Sequence, residues 1–152
     1  MIRVVIVDGH ALIRSGIRGL LEFTADIVVV AEASDGEEAV QVITAVNPDV
    51  VLLDVRLPKL SGLQVLEKLH SQNALPPTIL LTTFNDDSAL LQGMRAGAKG
   101  FLLKDVSLER LADAIRRVMM GESSFRPALT ERTLEGIKNI VQTFDSFDPP
   151  AL

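Results

Sequence analysis

The stretch IRVVIVDGHALIRSGIRGLL, Ile2–Leu21, contains the unit from which the whole chain is built. Ile2–Val7 is an almost unbroken apolar run, the pattern of a strand covered on both faces rather than one alternating between core and water. Asp8 and Gly9 end it. Leu12, Ile13, Ile17, Leu20 and Leu21 then recur at helical spacing and define one apolar stripe. A carboxylate at the end of a buried strand is costly unless something pairs with it, so Asp8 requires a partner from elsewhere in the chain.

The same unit recurs along the sequence. Apolar runs at Ile27–Ala33, Asp49–Leu53, Thr78–Thr82 and Gly100–Leu103 read as further buried strands. Between and after them lie apolar stripes: Ala39, Val40, Ile43 and Val46; Val65, Leu66 and Leu69; Ala89, Leu90, Gly93 and Met94; and Leu108, Leu111, Ile115, Val118 and Met119. Ser34 with Glu37 reads as a capping box, and Ser107 sits where the last stripe needs an N-cap. Strict β-α alternation implies right-handed crossovers and a parallel sheet with helices on both faces. Five strands fit a flavodoxin-like doubly wound (βα)5 sheet of order 2-1-3-4-5; a closed barrel would need eight.

The pattern ends near Gly121, giving one domain over residues 1–121. Residues 122–152 read as a linker with one amphipathic helix at about 131–144, capped by Thr130 and striped by Leu134, Ile137, Val141 and Phe144, with a frayed end. That tail has no strand to lean on, so its apolar face is expected to pack on the domain, a partner or its own copy. A net charge of −5 argues against nucleic-acid binding by this segment alone. Zero cysteines exclude disulfides, thiol catalysis and cysteine-based metal sites, and suit a reducing compartment. The opening residues go straight into a strand, unlike a signal peptide, and no run approaches the ~18 apolar residues of a membrane span. The expectation is a cytoplasmic protein.

In an open parallel sheet, ligands bind beyond the carboxyl ends of the strands, at the switch point between strands 1 and 3. The polar residues at those ends are Asp8, Asp54, Thr82 and Lys104. Two neighbouring carboxylates with no cysteine or histidine pair nearby point to Mg²⁺ or Mn²⁺. A hydroxyl and an ammonium opposite them suit a phosphoryl group. The chemistry is phosphoryl transfer onto a carboxylate, with Asp54, central in the sheet, as nucleophile. Simpler readings hold elsewhere. His10 reads as a first-turn helix residue, His70 as a solvated helix-end residue, and Asp86 and Asp87 as acids favoured at a helix N-terminus. Gly97 and Gly100 read as turn residues, and Gly9, Gly16 and Gly19 do not make a dinucleotide fingerprint.

The segments VDGHALIRSG, ASDGEEAV, PDVVLLDVRLPKLSG, LLTTFND and GAKGFLLKD together resemble the receiver domain of two-component response regulators, of the subgroup with a LuxR-type helix-turn-helix output domain. The resemblance covers Met1 to about Gly121. It implies that Asp54 accepts a phosphoryl group from a sensor histidine kinase, that Thr82 and Lys104 bind it, and that Phe101 changes rotamer as a switch. It implies a divalent cation held by Asp8, Asp54 and the backbone carbonyl of Arg56, with Arg56 and Phe84 bordering the pocket. Phosphorylation would then repack the face of helix 4, strand 5 and helix 5, altering its affinity for a dimer mate or for the output domain through which DNA is bound.

Two departures stand out. The family usually has a second acid after strand 1 that binds the metal directly, and here it is Gly9. Metal binding is therefore expected to be weaker, because Mg²⁺ tolerates one or two carboxylates completed by water. The opposing reading is a degenerate receiver that serves as a phosphorylation-independent interaction module. Second, many receivers carry a cis proline after the strand-5 lysine, where this chain has Asp105. An aspartate-nucleophile phosphohydrolase would need D-x-D, but Asp54 is followed by Val55 and Arg56. Residues 122–152 are too few for a helix-turn-helix module, so the expectation is a truncated chain or a stand-alone receiver.

Overall fold

The computed structural model describes residues 1–83 and 86–125. The five apolar runs form β1 (Ile2–Val7), β2 (Ile27–Ala33), β3 (Val50–Asp54), β4 (Thr78–Thr82) and β5 (Gly100–Leu103). They alternate with α1 (Ala11–Leu21), α2 (Gly36–Val46), α3 (Gly62–Ser71), α4 (Asp87–Arg95) and α5 (Leu108–Met119). The strands make one parallel sheet of order β2-β1-β3-β4-β5, as the alternation requires.

Because successive strand residues point to opposite faces, each run feeds two cores. Val5, Val7, Val51, Leu53 and Leu80 pack with α2, α3 and α4 on one face. Val4, Ile6, Val50, Leu52 and Leu81 pack with α1 and α5 on the other. Each of these side chains is essentially inaccessible, and each contributes about 1.5–3 kcal/mol relative to an exposed one. β1, β3 and β4 are flanked by strands on both sides, and β3 and β4 are buried at every position. That fixes their ends, and the acids there, against both cores.

Several local expectations shift. β3 runs Val50–Asp54 rather than Asp49–Leu53, because Asp49 instead uses its carboxylate to accept the Arg3 backbone N–H at 2.8 Å. Helix α2 is capped by Asp35, not Ser34. The Asp35 carboxylate accepts the Glu38 N–H, and the Glu38 carboxylate, not that of Glu37, accepts the Ser34 N–H at 2.7 Å. Two adjacent residues with capping side chains make that choice illegible from sequence. Ser107 caps α5 as expected, and Ser61 with Gln64 forms a full capping box at α3. In α1, Ile17 and Leu21 are buried, but Leu12 is 85% and Leu20 42% exposed. Met94 and Met119 likewise lie largely at the surface. These residues fall on the rims of their stripes, where helical spacing alone cannot separate core from solvent.

The start of the tail does find a strand. Ser124 bridges Gly100 in parallel, its N–H donating to Lys99 O at 2.7 Å and its carbonyl accepting the Phe101 N–H at 3.1 Å. Gly100 is therefore a strand residue rather than a turn, and a Cβ there would lie 3.0 Å from Ser124 O. Two hydrogen bonds cover the β5 edge and leave no periodic signal in the sequence. The helix expected at residues 131–144, with Thr130, Leu134, Ile137, Val141 and Phe144, lies outside the described residues, as does Phe84. Among the described residues no helix is long and apolar enough to cross a membrane, and no peptide bond is cis, that before Asp105 included.

Gly62 joins fold to site. A Cβ on it would lie 2.1 Å from the Asp54 carbonyl oxygen and 2.9 Å from Val55 Cα. The obstacle is backbone, so Gly62→Ala must push α3 away from the end of β3. We expect a loss of about 3 kcal/mol, at the upper end of overpacking costs, in urea unfolding. A stability within 1 kcal/mol of wild type would show that the helix start yields freely.

Candidate functional site

Sheet pairing sets the site. β1 and β3 are neighbours, with Val7 opposite Leu53, so Asp8 and Asp54 emerge side by side. β4 pairs with β3 and β5 with β4, which brings Thr82 and Lys104 to the same edge. The Lys104 N–H donates to Thr82 O at 2.7 Å. Asp8, Asp54 and Thr82 are all buried. The four sequence-predicted strand-end residues thus converge.

Lys104 is the hub. Its Nζ lies 2.7 Å from Asp8 Oδ2 and 3.0 Å from Asp54 Oδ2, so one ammonium serves two carboxylates. The remaining oxygens take backbone donors: Asp8 Oδ1 accepts the His10 N–H at 2.8 Å, and Asp54 Oδ1 accepts the Arg56 N–H at 3.1 Å. Arg14 closes the first loop by donating to the Asp8 carbonyl at 2.6 Å.

The charge balance is unequal. Burial pushes the Asp54 carboxyl above the usual carboxylate range; its hydrogen bond from Lys104 and that from Arg56 oppose the shift, and Asp8 adds to it. Burial also acts to lower the Lys104 pKa, but hydrogen bonds to Asp8 and Asp54 outweigh it and the net shift is upward. Lys104 is therefore a fixed cation at neutral pH. Two buried acids against one ammonium leave a site that favours an added positive charge.

The donors fit a divalent cation. Among the described residues, Asp8, His10 and Asp54 each offer one ligand atom, all within 4.8 Å of one another. Asp8 Oδ2 is fully buried, with the Lys104 ammonium beside it at 2.7 Å. An oxygen-rich set with open positions suits Mg²⁺ or Mn²⁺. His10 is the residue sequence reasoning set aside. It is not in the first turn of α1 but is the N-cap residue, its side chain makes no capping hydrogen bond, and its Nδ1 lies 3.4 Å from Asp8 Oδ1. Its position two residues past the strand-end acid was the available signal.

Gly9 sits at the rim of this group. A Cβ there would meet Pro58 Cδ at 3.4 Å and Ser34 O at 3.7 Å, ordinary contacts. Phe101 is 1% exposed and lies in the core on the α2–α4 face, against which Phe125 also packs.

The sequence matches the family model of the response regulator receiver domain over residues 4–116. It is 39% identical over 145 residues to the transcriptional regulatory protein YxjL of Bacillus subtilis, covering 94% of this chain and 63% of that protein. It is 32% identical over 127 residues to the nitrate/nitrite response regulator NarL of Escherichia coli, covering 84% of this chain and 59% of that one. Among solved structures, a LuxR-family two-component response regulator from Aurantimonas superposes with a TM-score of 0.83 at 27% identity, over 90% of this chain and 97% of that one. The receiver domain of a response regulator NarL from Mycobacterium tuberculosis gives 0.76 at 35% identity, over 80% and 98%. The chain thus spans about 63% of the length of the first curated relative.

Proposed function

The chain belongs to the response regulator receiver family, and from that membership we propose that it accepts a phosphoryl group on Asp54 and relays the change along β4 and β5. The observation that carries this reading is Lys104 Nζ held between Asp8 and Asp54 at 2.7 and 3.0 Å. It is a signalling domain, not a catalyst acting on external substrates.

In the proposed step an Asp54 carboxylate oxygen attacks the phosphorus of the donor. The new P–O bond gives an acyl phosphate, and the bond to the donor breaks with its electron pair leaving on the donor. Lys104 and the Thr82 hydroxyl bind the transferred oxygens as negative charge accumulates there. Asp8, Asp54 and the Arg56 carbonyl would hold a divalent cation, which neutralises the repulsion between carboxylate and phosphate. With Lys104 drawn toward the phosphoryl group and Thr82 inward, β4 and β5 shift together, since the Lys104 N–H is bonded to Thr82 O. Phe101 on β5 then acts as the switch.

Residues 1–121 form the receiver in this reading, and 122–152 the linker toward an output domain. Ser124, bonded to both flanks of Gly100, starts that linker on the switch strand itself. The partners that follow are a sensor histidine kinase as phosphodonor, a second copy of the chain on the repacked face, and DNA through the output domain. The assembled Asp8–Lys104–Asp54 group supports this over an interaction module without phosphoryl chemistry.

The test is intact mass after incubation with acetyl phosphate across a Mg²⁺ series. Wild type should gain one phosphoryl group only when Mg²⁺ or Mn²⁺ is present. Gly9→Asp, which the space beside Pro58 accommodates, should reach half-maximal labelling at roughly tenfold lower Mg²⁺, because an added carboxylate strengthens a hard-cation site. Labelling of Gly9→Asp with none in wild type would mean that the glycine has disabled the site.

A further inference from the structure

The backbone of His10 starts α1, but its imidazole is not used by that helix. The residue stands at the N-cap position of α1, yet its imidazole makes no capping hydrogen bond and its side chain is 72% exposed. Its backbone is fixed, because its N–H donates to Asp8 Oδ1 at 2.8 Å. That bond holds the ring at the mouth of the acid pair, with Nδ1 3.4 Å from Asp8 Oδ1. Position 9, between Asp8 and His10, is glycine and offers a cation no side-chain ligand.

We propose that the His10 imidazole takes the ligand position left by Gly9 and turns the site from a Mg²⁺ site into one that discriminates in favour of Mn²⁺ and later first-row divalent ions. The proposal rests on the receiver reading and specifies the cation of that same site. An octahedral ion with bonds of about 2.1 Å needs donors about 3.0 Å apart in cis and about 4.2 Å in trans. Ligand atoms of Asp8, His10 and Asp54 already lie within 4.8 Å of one another. The imidazole, being exposed, has room to turn toward the acid pair.

The selectivity follows from donor type. Mg²⁺ binds hard oxygens and water, and gains little from an imidazole nitrogen. Mn²⁺ accepts nitrogen more readily, and affinity for such donors rises from Mn²⁺ to Ni²⁺. Replacing a carboxylate by an imidazole removes a negative charge that both ions use and adds a nitrogen that only the transition ions use. His10 then sets which cation loads the site, while Asp8 and Asp54 supply its charge.

The untagged chain has two histidines, His10 and His70, which makes a nitrogen signal assignable. Mn²⁺ bound to wild type should show ¹⁴N modulation in electron spin-echo spectra, retained in His70→Ala and lost in His10→Ala. Calorimetry should show Mn²⁺ affinity falling roughly 10–100-fold in His10→Ala, a range known for perturbed metal sites, with Mg²⁺ affinity changed less than about twofold. Absent ¹⁴N modulation in wild type, or an equal loss for both ions, overturns the proposal. Labelling by acetyl phosphate is scored separately: a wild type that labels on Asp54 but shows no nitrogen signal keeps the receiver reading and loses this one. A wild type that never labels loses the receiver reading, and the spin-echo result then reports on His10 alone.

Discussion

An Asp54→Asn chain will take up no phosphoryl group from acetyl phosphate at any Mg²⁺ concentration, and its stability at pH 7.5 will stay within about 1 kcal/mol of wild type. The first half follows from chemistry, because a carboxamide at this position offers no anionic nucleophile to phosphorus. The second follows from the direction of the Asp54 shift. Burial raises its pKa despite the Lys104 and Arg56 hydrogen bonds, so the folded chain binds this proton more tightly than the unfolded chain. Stability falls as pH rises from the ordinary carboxylate range through the folded pKa, and stays at the reduced level at neutral pH. Asparagine removes that cost, keeps one oxygen acceptor near the Arg56 N–H, and leaves Lys104 its Asp8 partner at 2.7 Å. Urea unfolding at several pH values checks this. A loss of several kcal/mol, or labelling that survives, would contradict it.

Lys104→Met will behave in the opposite way. It removes the ammonium held between two buried acids, and truncating one partner of a buried pair costs about 3–5 kcal/mol. Because the Lys104 pKa is raised, its contribution is complete at every pH below the usual lysine value and is lost only as pH rises through the folded pKa. At pH 7.5 the whole loss is therefore expected, about 3 kcal/mol. It should shrink on acidification, as Asp54, its carboxyl already shifted upward, takes up a proton and relieves the repulsion. Millimolar Mg²⁺ should offset the loss as well, by returning positive charge to the same place. A loss independent of both pH and Mg²⁺ would mean that methionine simply packs badly there.

The contrast between these variants turns on features that were legible in unequal degree. All-apolar strands and helical stripes fixed the sheet and its order, because burial on both faces leaves no room for other patterns. Asp8, Asp54, Thr82 and Lys104 were legible for a related reason: a polar residue directly after a buried run must lie on the carboxyl edge. His10 was not, since one histidine at a helix start has no periodic or paired signal, and its relation to Asp8 depends on a turn that only the fold defines. Ser124 was missed because two hydrogen bonds on a sheet edge need no apolar run. Leu12 and Leu20 matched the helical period but sit beyond the sheet's reach, and the choice of Asp35 over Ser34 as cap turns on a one-residue shift in the loop.

The most direct measurement is the chemical identity of the phosphorylated residue. After labelling with acetyl phosphate and Mg²⁺, borohydride reduces an aspartyl phosphate to homoserine, and peptide mass spectrometry locates it. Homoserine at position 54 and nowhere else is the predicted result. Homoserine at another acid, or a stable phosphate on a hydroxyl or imidazole with Asp54 untouched, would contradict the assignment of Asp54 as the phosphoryl acceptor.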